Sequence, residues 1–173
     1  MELNRLGLGP QPTTKLRRPR LPILAVSWSS SFPRREELGV RFEIVTPNDV
    51  AVLKCLVAVA WADGQVDQPE VGMIDGLLWA YGASDAEEAE LREFAKVARA
   101  LKDCPIPADL PAAERELALA NAALLTHADG EQSAPEKRAL AELAKKLGYS
   151  MDAAKPIIAS ARTRAQKLAS RIG

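Results

Sequence analysis

Apolar residues in the region 46–172 recur with a helical period, and the same short break interrupts this pattern twice. From Val50 to Trp61 nearly every residue is apolar, and this run ends at Ala-Asp-Gly, residues 62–64. A second helical run, 112–127, ends at Ala-Asp-Gly again, residues 128–130. A helix that is apolar on all sides is surrounded by protein. We therefore expect the helices formed by these two runs to lie at the centre of the fold.

After each break the chain restarts with the signature of a new helix. The letters DQPE occupy residues 67–70, and SAPE occupies residues 133–136. Asp or Ser caps the free N–H groups of a first turn, and Glu three residues later completes a capping box. Pro is tolerated in that turn, because its missing N–H would have no partner there. The second helix of each half ends at a glycine, Gly82 or Gly148. Ser84 and Ser150 then open a third helix in each half, and apolar spacing that includes Val97 continues the first of these as far as Leu101, before Pro105.

The two halves align without a gap at an offset of 66 residues. Between 61–84 and 127–150, eight of 24 positions are identical, and they include Asp-Gly, Pro-Glu, Gly and Ser. A repeat of this length predicts two copies of one structural unit. The pattern therefore predicts an all-α fold, a pseudo-two-fold bundle of six to seven helices built from two three-helix repeats, over residues 46–172. We expect the sixth helix to kink or restart near Pro156.

Charge divides the chain into a basic start, an acidic body and a basic end. Residues 1–35 carry seven Lys or Arg and one acid, 36–153 carry eleven bases and twenty-two acids, and 154–173 carry five bases and no acid. An acidic body repels phosphates, so nucleic acid is not an expected partner. We predict that residues 1–45 form a disordered basic leader with a short extended segment at 40–45. A secretion signal is the alternative for the leader.

Composition places the chain among helical proteins of a reducing compartment. Apolar residues make up 47% and aromatic residues only 5%, which favours packed helices over sheets. Cys55 and Cys104 lack metal-type spacing, so we interpret both as buried or idle thiols rather than a disulfide, and we expect Cys104 to lie in an exposed loop. No apolar run reaches the roughly 20 residues that span a bilayer. We expect a cytoplasmic protein, in which peripheral contact with the inner membrane would use the basic ends.

Helix capping explains the glycines and glutamates of the breaks, but it does not explain Asp63 and Asp129. An acid at the C-terminal end of a helix faces the negative pole of the helix dipole. Carboxylates brought together at each break would bind a cation, and all-oxygen ligands favour Ca²⁺, Mg²⁺ or Mn²⁺. Solvated caps without any ion are the alternative. The candidate metal ligands are Asp63, Glu70, Asp129 and Glu136, with Asp67 and Glu131 as additional candidates.

The two breaks resemble the paired motifs of the TerB-like family. The stretches VAWADGQVDQPEVGMIDGLL and LLTHADGEQSAPEKRALAELAKKLG carry the resemblance, which covers roughly 47–167. The family comprises the tellurite-resistance TerB proteins and the N-terminal domain of a membrane-anchored J-domain co-chaperone. The resemblance implies a pseudo-symmetric helical bundle, a metal site formed by the four acids above, and a role in tellurite or envelope-stress resistance. Ser133 departs from the pattern, since Asp67 occupies its place in the first copy.

We predict a non-catalytic module that binds a divalent cation and docks other proteins of a stress-resistance complex. The main alternative is a metal-free helical scaffold for protein interaction. A second alternative is a hydrolase that uses two acids beside a metal. His127, the only histidine, is interpreted as a packing or helix-ending residue rather than a ligand. No motif for nucleophilic catalysis or for phosphate binding by a glycine loop occurs in the chain.

Overall fold

A computed structural model describes residues 45–128 and 132–172, with side chains described as far as residue 167. This part of the chain is all-helical and contains no strand. Its six α-helices are α1 Pro47–Ala60, α2 Gln68–Tyr81, α3 Asp85–Ala95, α4 Ala112–Leu125, α5 Ala134–Lys146 and α6 Met151–Ile172. Short 3₁₀ turns lie at Trp61–Asp63 and Leu101–Asp103.

Helix α1 lies at the centre of the molecule, as its apolar sequence predicts. Thr46 and Asp49 form a reciprocal capping box at its start, with Pro47 in the first turn. From Val52 to Ala60 every side chain is buried except that of Lys54, which reaches Glu90 of α3 at 2.9 Å. α1 contacts α2, α3, α4 and α5. Burial on all sides therefore makes α1 the shared core of the fold.

Helices α2, α3 and α5 begin at the predicted caps. Each has a reciprocal capping box, formed by Asp67 with Glu70, Ser84 with Glu87, and Ser133 with Glu136. Because Gly lacks a Cβ, it ends a helix in the left-handed conformation without steric cost. Gly82 and Gly148 follow α2 and α5 with φ of 83° each. The sequence predicted all these boundaries within one residue.

Two helices differ from the prediction in their length. α3 was expected to continue to Leu101, but it ends at Ala95, and the chain passes through turns to residue 111. Val97 is 57% exposed, so its place in the apolar pattern does not reflect packing. α6 was expected to kink or restart near Pro156, and it does not restart, because one helix runs across that proline. Pro156 lies in the second turn, where its ring removes one backbone bond without ending the helix.

The six helices share one continuous core. α4 contacts α1, α2, α5 and α6, and α6 packs mainly along α4. Leu119 and Ala122 of α4 and Val57 and Val59 of α1 have no exposed surface. Three predictions lie outside the described residues: the basic leader, the possible secretion signal, and all but the last residue of the extended segment at 40–45. None of the described helices combines the length and apolar content that crossing a bilayer requires.

The end of α5 and the interior of α2 predict opposite effects of two glycine substitutions. Gly148→Ala places a Cβ at a left-handed position with φ of 83°, which costs about 1–2 kcal/mol. Gly72→Ala lies in α2, where a Cβ meets no atom within 4 Å, and it should stabilise by about 0.5–1 kcal/mol. Urea unfolding of both variants measures the two shifts. A Gly148→Ala protein as stable as the parent would contradict the assigned end of α5.

Candidate cation-binding site

The first corner of the chain lies between α1 and α2. Gly64, with φ of 88°, ends the 3₁₀ turn that follows α1. The Asp63 carboxylate accepts a bond from the Gln65 backbone N–H at 3.1 Å. Asp67 and Glu70 exchange bonds across the start of α2, at 2.9 and 3.1 Å. The first corner therefore brings Asp67 and Glu70 together, while Asp63 stabilises the turn that precedes them.

The second corner lies between α4 and α5. Ser133 takes the place of Asp67: its hydroxyl accepts the Glu136 N–H at 3.3 Å, and its own backbone N–H donates to the Glu136 carboxylate. Gln132 donates to the Thr126 hydroxyl at 2.7 Å, and that hydroxyl donates to the Ala123 carbonyl at the end of α4. Two predicted ligands, Asp129 and Glu131, lie outside the described residues.

Burial distinguishes the two corner glutamates from the other glutamates of the described residues. Glu70 and Glu136 are each 6% exposed, although most glutamates of globular proteins face solvent. Each has one carboxylate oxygen fixed by a backbone N–H of its cap residue. The Trp61–Asp63 turn of the first corner contacts α5, the helix that Glu136 opens. Within 45–128 and 132–172 no group of three His, Cys, Asp or Glu side chains could hold a metal ion.

His127 lies two residues beyond the end of α4, where the sequence predicts a packing or helix-ending residue. Its Nδ1 lies 2.8 Å from the Ala123 carbonyl oxygen, which fits an N–H donated to the last turn of the helix. A donor at this end satisfies a carbonyl that has no partner within the helix. Trp61, at the matching position of the first corner, donates its Nε1–H to the Ala95 carbonyl at 3.0 Å. Both side chains therefore satisfy backbone carbonyls at helix ends.

Sequence reasoning missed a buried carboxylate on α2. Asp75 is 7% exposed and lies 3.4 Å from Arg92 of α3, which also pairs with Glu88 at 3.1 Å. Burial raises the pKa of Asp75, and the Arg92 guanidinium opposes this rise. The spacing held a signal, because Asp75 lies on the same face of α2 as Val71 and Leu78, at intervals of four and three residues.

Sequence reasoning also misplaced Cys104. The residue lies in a connection between helices, as expected, but it is only 1% exposed. Its thiol donates to the Lys54 carbonyl of α1 at 3.5 Å, so it packs beside Cys55. The prediction of an exposed loop thiol is therefore wrong. The sequence around Cys104 does not indicate whether the loop buries this side chain or exposes it.

Comparisons of the chain with protein-family models, with curated proteins and with solved structures find no match. The resemblance to the TerB-like family therefore stays a prediction, and the metal ligands stay candidates.

The Asp75–Arg92 pair predicts a dependence of stability on pH. Because the folded-state pKa of Asp75 is raised, the folded protein binds this proton more tightly than the unfolded chain. The contribution of Asp75 to the free energy of unfolding is therefore largest at low pH. It falls as pH rises from the ordinary value of 3.8 through the raised pKa. We expect the stability of Asp75→Asn relative to the parent to rise over this range in urea unfolding.

Asp152→Asn is the matched control, because Asp152 has a side chain that is 92% exposed. Its stability relative to the parent should vary less with pH than that of Asp75→Asn. Equal pH profiles for the two variants would contradict the role of burial at Asp75.

Proposed function

We propose that this chain is a non-catalytic TerB-like module that binds a divalent cation at its two helix corners and docks partner proteins in a tellurite, metal or envelope-stress response. One observation carries the proposal: Glu70 and Glu136 occupy the same position of two similar corners, and each is 6% exposed. Acids that only end or begin helices are ordinarily solvated. Two nearly buried carboxylates at matched positions favour a bound positive charge.

The proposal includes a pseudo-two-fold relation between α1–α3 and α4–α6. At an offset of 66 residues, the starts of α2 and α3 coincide with those of α5 and α6, and the bounds of α1 and α4 agree within one residue. α2 and α5 end with the same bond, from the residue after the glycine to a carbonyl five residues earlier, at 3.1 and 2.9 Å. α1 contacts α2, α3 and α5, and α4 contacts α5, α6 and α2. This exchange of partners supports two copies of one unit.

Electrostatics explains why a cation would stabilise these corners. Removing a carboxylate from water is costly unless hydrogen bonds or an opposite charge compensate. The cap N–H compensates in part at each corner. No Lys, Arg or His side chain of the described residues forms an ion pair with Glu136 within 4.0 Å. At Glu136, an oxygen-coordinated Ca²⁺, Mg²⁺ or Mn²⁺ would supply an opposite charge. Asp63, Asp67, Asp129 and Glu131 would provide further oxygens.

Cation binding at a corner would fix the angle between the helices that meet there. In the first half these are α1 and α2, and in the second α4 and α5. A fixed angle sets the outer face of the module and so makes a docking surface depend on the ion. The acidic body favours partners with basic surfaces. We place this function in the cytoplasm, where the basic ends of the chain could hold it against an anionic membrane surface.

A metal-free interaction scaffold is the second candidate, and a specific observation favours it. Asp67, Glu70 and Glu136 all serve as caps, and capping by itself is worth about 1 kcal/mol at each helix. The described residues also contain no group of three ligating side chains. In this case the corners only hold the helices in place for a partner.

Glutamine substitution separates the two candidates. Gln keeps an oxygen for the cap N–H but removes the negative charge, so Glu70→Gln/Glu136→Gln should retain the capping boxes. We expect the parent to melt at a higher temperature with millimolar Ca²⁺ or Mn²⁺, and the double variant to lose this shift. Calorimetric titration with each ion should give a binding signal for the parent but not for the double variant.

Glu87→Gln is the matched control, because Glu87 completes the capping box of α3 with Ser84 and lies at no Asp-Gly corner. It should keep the full response to the ion. Asp63→Asn/Asp129→Asn should lose the titration signal as the glutamine pair does. A parent protein that shows no heat of binding, or a double variant that responds like Glu87→Gln, would leave the scaffold as the function.

A further inference from the structure

The centre of the molecule contains two cysteines that no part of the proposed function uses. Cys55 lies in α1 and Cys104 follows the Leu101–Asp103 turn, and they are 2% and 1% exposed. Cys55 Sγ is 3.6 Å from the Cys104 carbonyl oxygen, and Cys104 Sγ is 3.5 Å from the carbonyl oxygen of Lys54. Each sulfur thus contacts the backbone beside the other, although 49 residues separate them in sequence.

A basic side chain approaches this thiol pair from α5. The Lys146 ammonium donates to the carbonyls of Leu101 and Cys104, at the two ends of the turn that carries the second cysteine. A cation beside a thiol favours the thiolate, which is the reactive form of cysteine. Hydrogen bonding from Cys55 lowers the pKa of Cys104 to about 7; burial opposes this effect, while Lys146 and Arg99 reinforce it. The pKa of Cys55 is raised by its bond to Cys104 and by burial.

From this arrangement we infer that Cys55 and Cys104 form a peroxide-sensitive dithiol, in which Cys104 is oxidised first and Cys55 then closes a disulfide. The inference does not depend on cation binding at the corners. It adds a modification site, whose substrate is hydrogen peroxide, to the centre of the bundle.

The chemistry proceeds in two steps. The Cys104 thiolate attacks one peroxide oxygen, the O–O bond breaks, and the departing hydroxide takes a proton to become water, which leaves a sulfenic acid. The Cys55 sulfur then attacks the Cys104 sulfur. The S–O bond breaks, and the leaving hydroxide combines with the Cys55 proton as a second water. The two sulfurs together lose two electrons, and the peroxide gains them.

The position of Cys104 explains how a buried thiol could react. It lies in the connection between α3 and α4, where only a short 3₁₀ turn is regular between residues 96 and 111. Peroxide is small, so a limited opening of this connection admits it. Segments without regular helix open more readily than a packed core helix. The disulfide would then join the centre of α1 to the connection between the two halves.

The test treats the full chain with hydrogen peroxide under native conditions and follows the products by mass spectrometry. We expect one disulfide within a single chain, joining Cys55 to Cys104 and reversed by a thiol reductant. In Cys55→Ala, Cys104 should accumulate as a sulfenic acid that dimedone traps. In Cys104→Ala, Cys55 should stay a thiol. Oxidation of Cys55 in that variant would contradict the proposed order of reaction. A disulfide that forms only after unfolding would contradict the proposed site in the folded protein.

Lys146 provides a second test through the pH profile. Lys146→Met should raise the pKa of Cys104 and so slow its oxidation by peroxide in the Cys55→Ala background. The rate should begin to rise at a higher pH, and below the pKa it should fall about tenfold for each unit by which the pKa of Cys104 rises. Lys146→Arg should restore most of the rate. Lys145→Met, an exposed neighbour on α5, is the control and should match the parent. A Lys146→Met profile that coincides with this control would contradict the role of the ammonium.

Discussion

Burial of α1 on all its sides is the constraint from which the rest of the structure follows. The segment Val52–Ala60 exposes almost nothing except Lys54, so other helices must cover every face of it. α2, α3, α4 and α5 provide that cover, and α6 packs on α4. Each buried aliphatic side chain contributes about 1.5–3 kcal/mol.

The corners are the local consequence of this arrangement. A short helix can cover its neighbour only if the chain reverses within a few residues, which leaves free N–H and C=O groups at both helix ends. Gly64, Gly82 and Gly148 provide the left-handed turns, and side chains satisfy the free groups. Glu70 and Glu136 form their capping bonds while buried, unlike the half-exposed Glu87 of α3. This difference is the reason for proposing that the corners do more than end and start helices.

The sequence predicted the helices well where local chemistry determines them. Asp67, Ser84 and Ser133 each precede a helix and carry a glutamate three residues on, so both partners of the cap can be read from the letters alone. It failed at α3, where Val97 and Leu101 continue the apolar spacing but only Leu101 is buried. Whether an apolar residue extends a helix or enters the core from a turn depends on distant packing, which periodicity does not contain.

The site was less predictable than the fold, for the same reason. Spacing identified Glu70 and Glu136 as caps, but their burial depends on helices far away in sequence. The contact between Cys55 and Cys104 could not be predicted from spacing, because 49 positions separate the two residues in the sequence. Asp75 and Arg92 likewise meet only through the packing of α2 on its neighbours. Contacts of this kind need the tertiary structure, even when each helix that makes them is evident from the sequence.

Hydrogen exchange of the backbone amides tests most directly whether α1 is the core shared by both halves. If it is, the amides of Val57 and Val59 in α1 and those of Leu119 and Ala122 in α4 exchange only when the whole domain unfolds. All four should then report one free energy of opening, equal to the value from urea unfolding. Protection that persists in α4, α5 and α6 after the α1 amides have exchanged would contradict the account, because the second half would then be stable without α1.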